Sequence, residues 1–275
     1  MPKQPEKTNP RCPFCKNKTT IKWGLRKNKR RTIQKFKCKN KTCRKYFTNQ
    51  PNLQKHKTYK LNLILSTISN LNLGYSLKQT SNYFRKLPRS TISYWYNQLK
   101  PTLPYHRIRN QIKTNYKPID IIKKKRFIHH NQPFLYQYHK PKLDLFLNKY
   151  KALKHYLENI ETLLPKDIFK NSQRISKQKQ KAEKELKTKQ NYATKLAETA
   201  LQSAKDNRQR HLIIENLMLR NDTATIATEI PIYLTNPNLT GHIDILQIRY
   251  HKIYILDFKP EKINKQKSIT QLQLY

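Results

Sequence analysis

Two acidic residues sit in strand-like text of a chain that otherwise avoids acids. Asp244 lies in "GHIDILQI" and Asp257 in "KIYILDF", joined by the short turn "RYHK", and Lys259 follows Asp257 by two residues. Alternation at period two puts Asp257 and Lys259 on one face of a strand, and Asp244 on the neighbouring strand can converge on the same point. Two carboxylates held together repel each other unless a divalent cation lies between them, and oxygen ligands select Mg2+ or Mn2+. Such a cation polarises a phosphate oxygen and acidifies a bound water, while Lys259 can hold that water and offset charge at phosphorus. Phosphodiester hydrolysis is the chemistry this pattern suits.

The cysteines form a second constellation. All four lie near the front, as "CPFC" (Cys12, Cys15) and "CKNKTC" (Cys38, Cys43), with 22 residues between the pairs. Two close pairs flanking a hairpin-length insert supply four thiolates for a tetrahedral Zn2+. A segment this short buries little core, so the metal would supply its folding energy. Trp23, Ile33 and Phe36 are expected to pack around the metal, and Phe47 to cover it. The alternatives are two disulfides or free thiols. The N-terminus "MPKQPEKTNP" has no apolar signal region and no run of about 18 apolar residues exists. The expectation is therefore an intracellular, cytoplasmic protein (nucleoid-associated in a prokaryote) with no membrane partner, where disulfides are rare.

Charge points to the partner. The chain has 58 Lys and Arg against 16 Asp and Glu, a formal net charge of +42. Residues 1–119 hold 29 of the bases and a single acid, Glu6. A surplus of that size fits a polyanion, nucleic acid first and an anionic membrane second. Three glycines, Gly24, Gly74 and Gly241, mark places needing positive φ or close backbone approach.

The elements that must position these groups follow from periodicity. Leu61, Ile64, Leu65, Ile68 and Leu71 recur at helical spacing. Ser76 is a good N-cap for a helix through Phe84, Ser81 is small enough for two helices to cross, and Pro88 ends the segment. Ser90 or Thr91 then caps a helix carrying Ile92, Trp95 and Leu99 on one face. Residues 101–195 read as a basic linker with helical stretches, and the lysine-rich run from Ser172 to Asn207 as a long exposed helix. His129, His130 and His139 have no metal-like partner set and read as surface or packing residues. The order from Lys205 is helix, three strands, helix.

The front of the chain resembles insertion-sequence transposases, with their zinc ribbon, followed by a helix-turn-helix of the transposase and resolvase kind. That resemblance implies a second helix in the major groove, with Arg89, Ser93, Tyr94, Asn97 and Gln98 facing DNA. Asp120, Asp144 and Asp167 lack the strand contexts of a transposase D-D-E core, so the resemblance stops at the front. The back resembles the PD-(D/E)xK nuclease superfamily, RecB-like branch, through "RHLIIE", "GHID", "LDFK" and "QLQLY" in order. It implies catalytic Asp244, Asp257 and Lys259, with Gln271 and Tyr275 on the helix face bordering the site. It also implies His211 as a metal ligand and Glu215 as a supporting carboxylate; Glu229 in "TEIPI" is secondary.

The expected architecture is multidomain α+β: a zinc ribbon (1–52), a three-helix helix-turn-helix domain (53–104), a basic helical linker (105–195), and a restriction-endonuclease-like α/β core with a mixed sheet flanked by helices (196–275). The chain stops inside the last motif, so that core is expected to be minimal, truncated, or completed by a homo-oligomer or partner. The expected function is Mg2+-dependent DNA hydrolysis; the alternative is a DNA-binding regulator or mobile-element protein with an inactive nuclease domain.

Overall fold

The computed structural model describes residues 9–28, 31–48, 59–146, 149–178, 190–204, 209–259 and 265–275. The protein is mixed α+β and divides into two compact units, Met1–Ile64 and Leu65–Tyr275.

In the first unit β1 (Thr20–Asn28), β2 (Arg31–Cys38) and β3 (Tyr46–Thr48) form an antiparallel sheet in that order. The β1–β2 register slips between Lys22 and Leu25, and Gly24 sits in that slip at φ +79°. A residue without Cβ takes this bulge geometry without strain. Phe36 is buried and stacks on Phe47, with ring centroids 5.8 Å apart. Trp23 corrects the expectation of a metal-side aromatic: it is 46% exposed, beside Tyr46 and under the Lys37 ammonium at 4.3 Å.

The boundary between units falls inside α1 (Leu61–Asn72). α2 (Leu77–Tyr83) begins with a capping box, Ser76 and Gln79 each bonding the other's backbone N–H. Pro88 is not what ends it. The helix stops at Phe84, and Arg85 and Lys86 turn the chain at positive φ. Ser81 serves that turn, donating to the Leu87 carbonyl at 2.6 Å. α3 (Arg89–Leu99) starts directly after Pro88 with no side-chain cap, so neither Ser90 nor Thr91 caps it. Its buried face is Ile92, Trp95 and Leu99, as the spacing predicts.

The region expected as a linker instead builds part of a sheet. After α4 (His106–Asn115) and α5 (Pro118–Ile121), β4 (Ile122–His129) and β5 (Gln132–His139) form a hairpin around His130 and Asn131, both at positive φ. α6 (Lys140–Phe146), α7 (Lys151–Glu158), α8 (Ile160–Leu163) and α9 (Lys166–Asn171) then lead to β6 (Gln173–Arg174). The run expected as one long helix begins with this strand and a 3-10 turn, Ile175–Lys177. Its residues 179–189 and 205–207 lie outside the described residues, and α10 (Tyr192–Leu201) is its described helical part.

α11 (Arg210–Asn221), β7 (Thr225–Thr235), β8 (Asn238–Arg249), β9 (Lys252–Leu256) and α12 (Lys265–Leu274) reproduce the expected helix, three strands, helix. The sheet order is β4-β5-β7-β8-β6, with β9 also on β8; β6 is parallel to β8 and every other pairing is antiparallel. β6 pairs β8 at Leu239 and Thr240, and β9 pairs it at Ile245–Arg249. Residues 241–244 of β8 lie between these two partners.

Buried polar groups tie α11 to its surroundings. Asn221 accepts from Asn72 Nδ2 and donates to Ser69 Oγ, both at 2.8 Å. Lys142, fully buried, donates to the carbonyls of Leu219 at 2.7 Å and Thr225 at 3.0 Å. Asp222, also fully buried, accepts from Thr225 Oγ1 at 2.7 Å, Gln247 Nε2 at 3.0 Å and Arg249 at 3.1 Å. Among the described residues no helix is long and apolar enough to cross a membrane.

Candidate functional site

The acids of the second unit meet across three strands. Thr228 and Ile230 pair with Ile245 and Ile243, which sets Glu229 opposite Asp244. Ile245 pairs with Leu256, so one further step sets Asp257 opposite Asp244 on the other side. Glu229 and Asp244 are neighbours across β7 and β8, Asp257 follows one step past the end of β9, and all three line a cleft of about 260 Å3 with Lys259, Gln271 and Tyr275.

Each group has an identifiable support. Asp244 Oδ2 accepts the Phe258 N–H at 2.9 Å. β9 ends at Leu256, so Asp257 and Lys259 lie beyond the ladder rather than on a strand face. Lys259 Nζ nevertheless reaches both oxygens of Asp257, at 2.9 and 2.7 Å. Gln271 Nε2 reaches Asp257 Oδ1 at 3.3 Å and also donates to the Tyr275 hydroxyl, the i,i+4 pairing its spacing predicts. Of the two reasons for a glycine, Gly241 shows close approach and not positive φ. It lies within β8, where a Cβ would stand 3.1 Å from Tyr275 Cε1 and 3.2 Å from Ile175 Cδ1. His211 and Glu215 share a face of α11, and His211 Nδ1 stands 3.5 Å from Asp244 Oδ2.

Electrostatics record the crowding. Burial, reinforced by Glu229 and Asp244, pushes Glu215 up to about 9. Burial and Asp244 push Glu229 up to about 7. Asp257 is raised by burial and Asp244 although Lys259 opposes this, and His211 is raised by its bond to Asp244. Glu215 Oε1 is buried without a hydrogen-bond partner. Glu229 has φ +53°, a strained conformation for a residue with a Cβ.

Residues given no role by the four motifs complete the cleft wall. His129 Nδ1 and His242 Nε2 are 2.8 Å apart, and His129 Nε2 lies 2.7 Å from Thr240 Oγ1. Burial holds both imidazoles neutral, at about 4 and about 3. His242 could have been found from its place two residues before Asp244. Nothing local marks His129, or Arg174, which also lines the cleft. His139 is a packing residue, fully buried with Nε2 2.7 Å from the Tyr105 hydroxyl.

In the first unit the four cysteines converge. Cys12 and Cys43 sulfurs are 3.7 Å apart, Cys15 and Cys38 sulfurs 3.5 Å, and all four lie within 4.8 Å of one another. A disulfide needs about 2.05 Å, whereas Zn–S bonds of about 2.3 Å around a tetrahedron put sulfurs about 3.8 Å apart. The cysteines are free and could hold a metal such as zinc. Among the described residues they are the one such group meeting that spacing; the acids near Asp244 are spread more widely.

Of the residues expected to face DNA, Arg89, Tyr94, Asn97 and Gln98 are exposed on α3, outside its buried face, and Ser93 is half-buried. No family model matches the chain, and no curated protein or solved structure matches it.

Proposed function

We propose that this chain is a DNA-binding, divalent-metal-dependent nuclease of the PD-(D/E)xK, RecB-like kind. The observation that carries the reading is the cleft that gathers Glu229, Asp244 and Asp257 with Lys259, bordered by Gln271 and Tyr275. Glu215 Oε1, buried without a hydrogen bond and 3.9 Å from His211 Nδ1, and the raised Asp257 fit an acid cluster built around a cation. Asp244, Asp257 and Glu215 would hold Mg2+ or Mn2+, with His211 alongside. Such an ion supplies polarisation of a phosphate oxygen and acidification of its bound water.

The chain's own groups do the rest. Lys259 offers positive charge where the phosphoryl group becomes more negative. Gln271 orients Asp257, and Tyr275 orients Gln271. Arg89, Ser93, Tyr94, Asn97 and Gln98 would meet the major groove, with the cysteine site as a structural Zn2+ centre in a second DNA-binding module.

One observation favours a second reading, a non-catalytic DNA-binding regulator or mobile-element protein: the Lys259 ammonium closes on both oxygens of Asp257. Supercoiled-plasmid cleavage with Mg2+ or Mn2+ separates the two. Wild type should nick or linearise DNA, and Asp257→Ala and Lys259→Ala should lose this while still binding. DNA binding without metal-dependent cleavage, on duplex and single-stranded forms, would leave the regulator.

A further inference from the structure

A second hollow lies between β4 and the α8–α9 segment. Its volume is about 690 Å3, against about 260 Å3 for the acidic cleft. Half-buried Phe127 and Leu164 make an apolar floor over the buried Ile160 and Phe169. Arg126, Lys166 and Lys170 stand exposed around it. The acid in its lining, Glu161, is already paired with Lys125 at 3.3 Å, so the rim is left strongly positive. Ile128, beside Arg126, is 67% exposed.

This hollow backs onto the cleft. The Phe127 ring lies 5.4 Å from His242, and the Phe169 ring 5.2 Å from His129. Both histidines line the cleft, as does Arg174. His130, at the β4–β5 turn, donates its N–H to the Phe169 carbonyl at 3.1 Å, which ties this turn to the lining of the hollow.

We propose that this hollow binds single-stranded nucleic acid leading toward the cleft, with phosphates on Arg126, Lys166 and Lys170 and a base against the Phe127–Leu164 floor. The inference rests on the nucleic-acid reading above and names the form of substrate. A duplex offers phosphates to a basic rim but keeps its base faces stacked inside. An apolar floor ringed by cations suits a strand whose bases are unstacked, since every base has a face to pack and every phosphate a charge to pair.

The test uses the full chain carrying Asp257→Ala, without divalent metal, so that binding is read apart from cleavage. Fluorescence anisotropy would compare a labelled thymidine oligonucleotide, a base-free strand of the same length, and a hairpin duplex. The variant Arg126→Ala/Lys166→Ala/Lys170→Ala is set against Lys151→Ala/Lys195→Ala/Lys252→Ala, three exposed lysines outside the hollow. We expect the hollow variant to bind the thymidine strand at least tenfold more weakly and to flatten its salt dependence by about 2 log units per log unit of salt, from about 0.7 per phosphate contact. Duplex affinity should change less than threefold, and the base-free strand should bind the parent at least fivefold more weakly than the thymidine strand. Equal losses in the two triple variants, or equal binding of base-free and thymidine strands, would overturn the inference. Metal-dependent plasmid cleavage by wild type would survive that result, so failure of the hollow and failure of the nuclease reading are distinguishable.

Discussion

Adding one methyl group at Gly241 tests whether Tyr275 holds the site through contact with β8. A Cβ there would stand 3.1 Å from Tyr275 Cε1 and 3.2 Å from Ile175 Cδ1, where carbon pairs prefer about 3.5–4.0 Å. Each neighbour must retreat by about 0.3–0.9 Å. The backbone at Gly241 is not left-handed, so the cost is steric rather than conformational. Overpacking of this kind costs about 1–3 kcal/mol. The displaced ring is bonded to Gln271, which reaches Asp257, so the strain arrives at the carboxylate. If it is all felt there, Gly241→Ala should slow Mg2+-dependent cleavage by about 5- to 150-fold. The assay is a double-mutant cycle with Tyr275→Ala, reading urea midpoints and cleavage rates for all four proteins. Removing the ring opens the space, so Gly241→Ala should cost at least about 1 kcal/mol less on that background. Effects that add within about 0.5 kcal/mol would refute the coupling, and the stability arm does so even if the protein cuts nothing.

Three other outcomes are expected. Purified protein should contain one zinc per chain by elemental analysis, and Cys38→Ser should lose it with the strand signal of the first unit; full zinc in that variant would break the four-thiolate assignment. Asp222→Ala should destabilise by about 3–5 kcal/mol in urea titrations, because Arg249 loses its buried partner; a loss under about 1 kcal/mol would show the network to be idle. Burial lowers Lys142 to about 7 from the ordinary 10.5. Between those values the unfolded chain binds the proton and the folded chain does not, so stability should rise with pH from about 7 toward 10. Lys142→Met should flatten that rise in urea midpoints measured at pH 7, 8 and 9, and an unchanged slope would refute it.

What was legible in the text is what is local along the chain. Cys12, Cys15, Cys38 and Cys43 announce a cluster through spacing, and Ser76 and the Ile92–Trp95–Leu99 stripe announce two helices. The turn between Asp244 and Asp257 is short enough that their pairing could be read directly. β4 was hidden because "IKKKRFIH" looks like a solvated basic run. Its lysines find partners only in the folded chain, Lys123 on Asp120 and Lys125 on the Glu158 carbonyl. Tyr136 is buried with its hydroxyl on the Leu157 carbonyl, a match invisible before α7 packs against β5. His129 reaches the cleft through sheet pairing between distant segments, which no spacing rule encodes.

The two-residue turn at Tyr250 and His251, both at positive φ, lies far from the acids it governs. Tyr250 is 90% exposed and is not among the residues lining the cleft. Yet the turn length sets the register of β9 on β8, and a slip of one residue swaps the faces of a strand. Lengthening this loop by a single residue would carry Asp257 out of line with Asp244 and take Lys259 with it. The turn acts as a ruler: the chain can vary its residues there far more freely than their number.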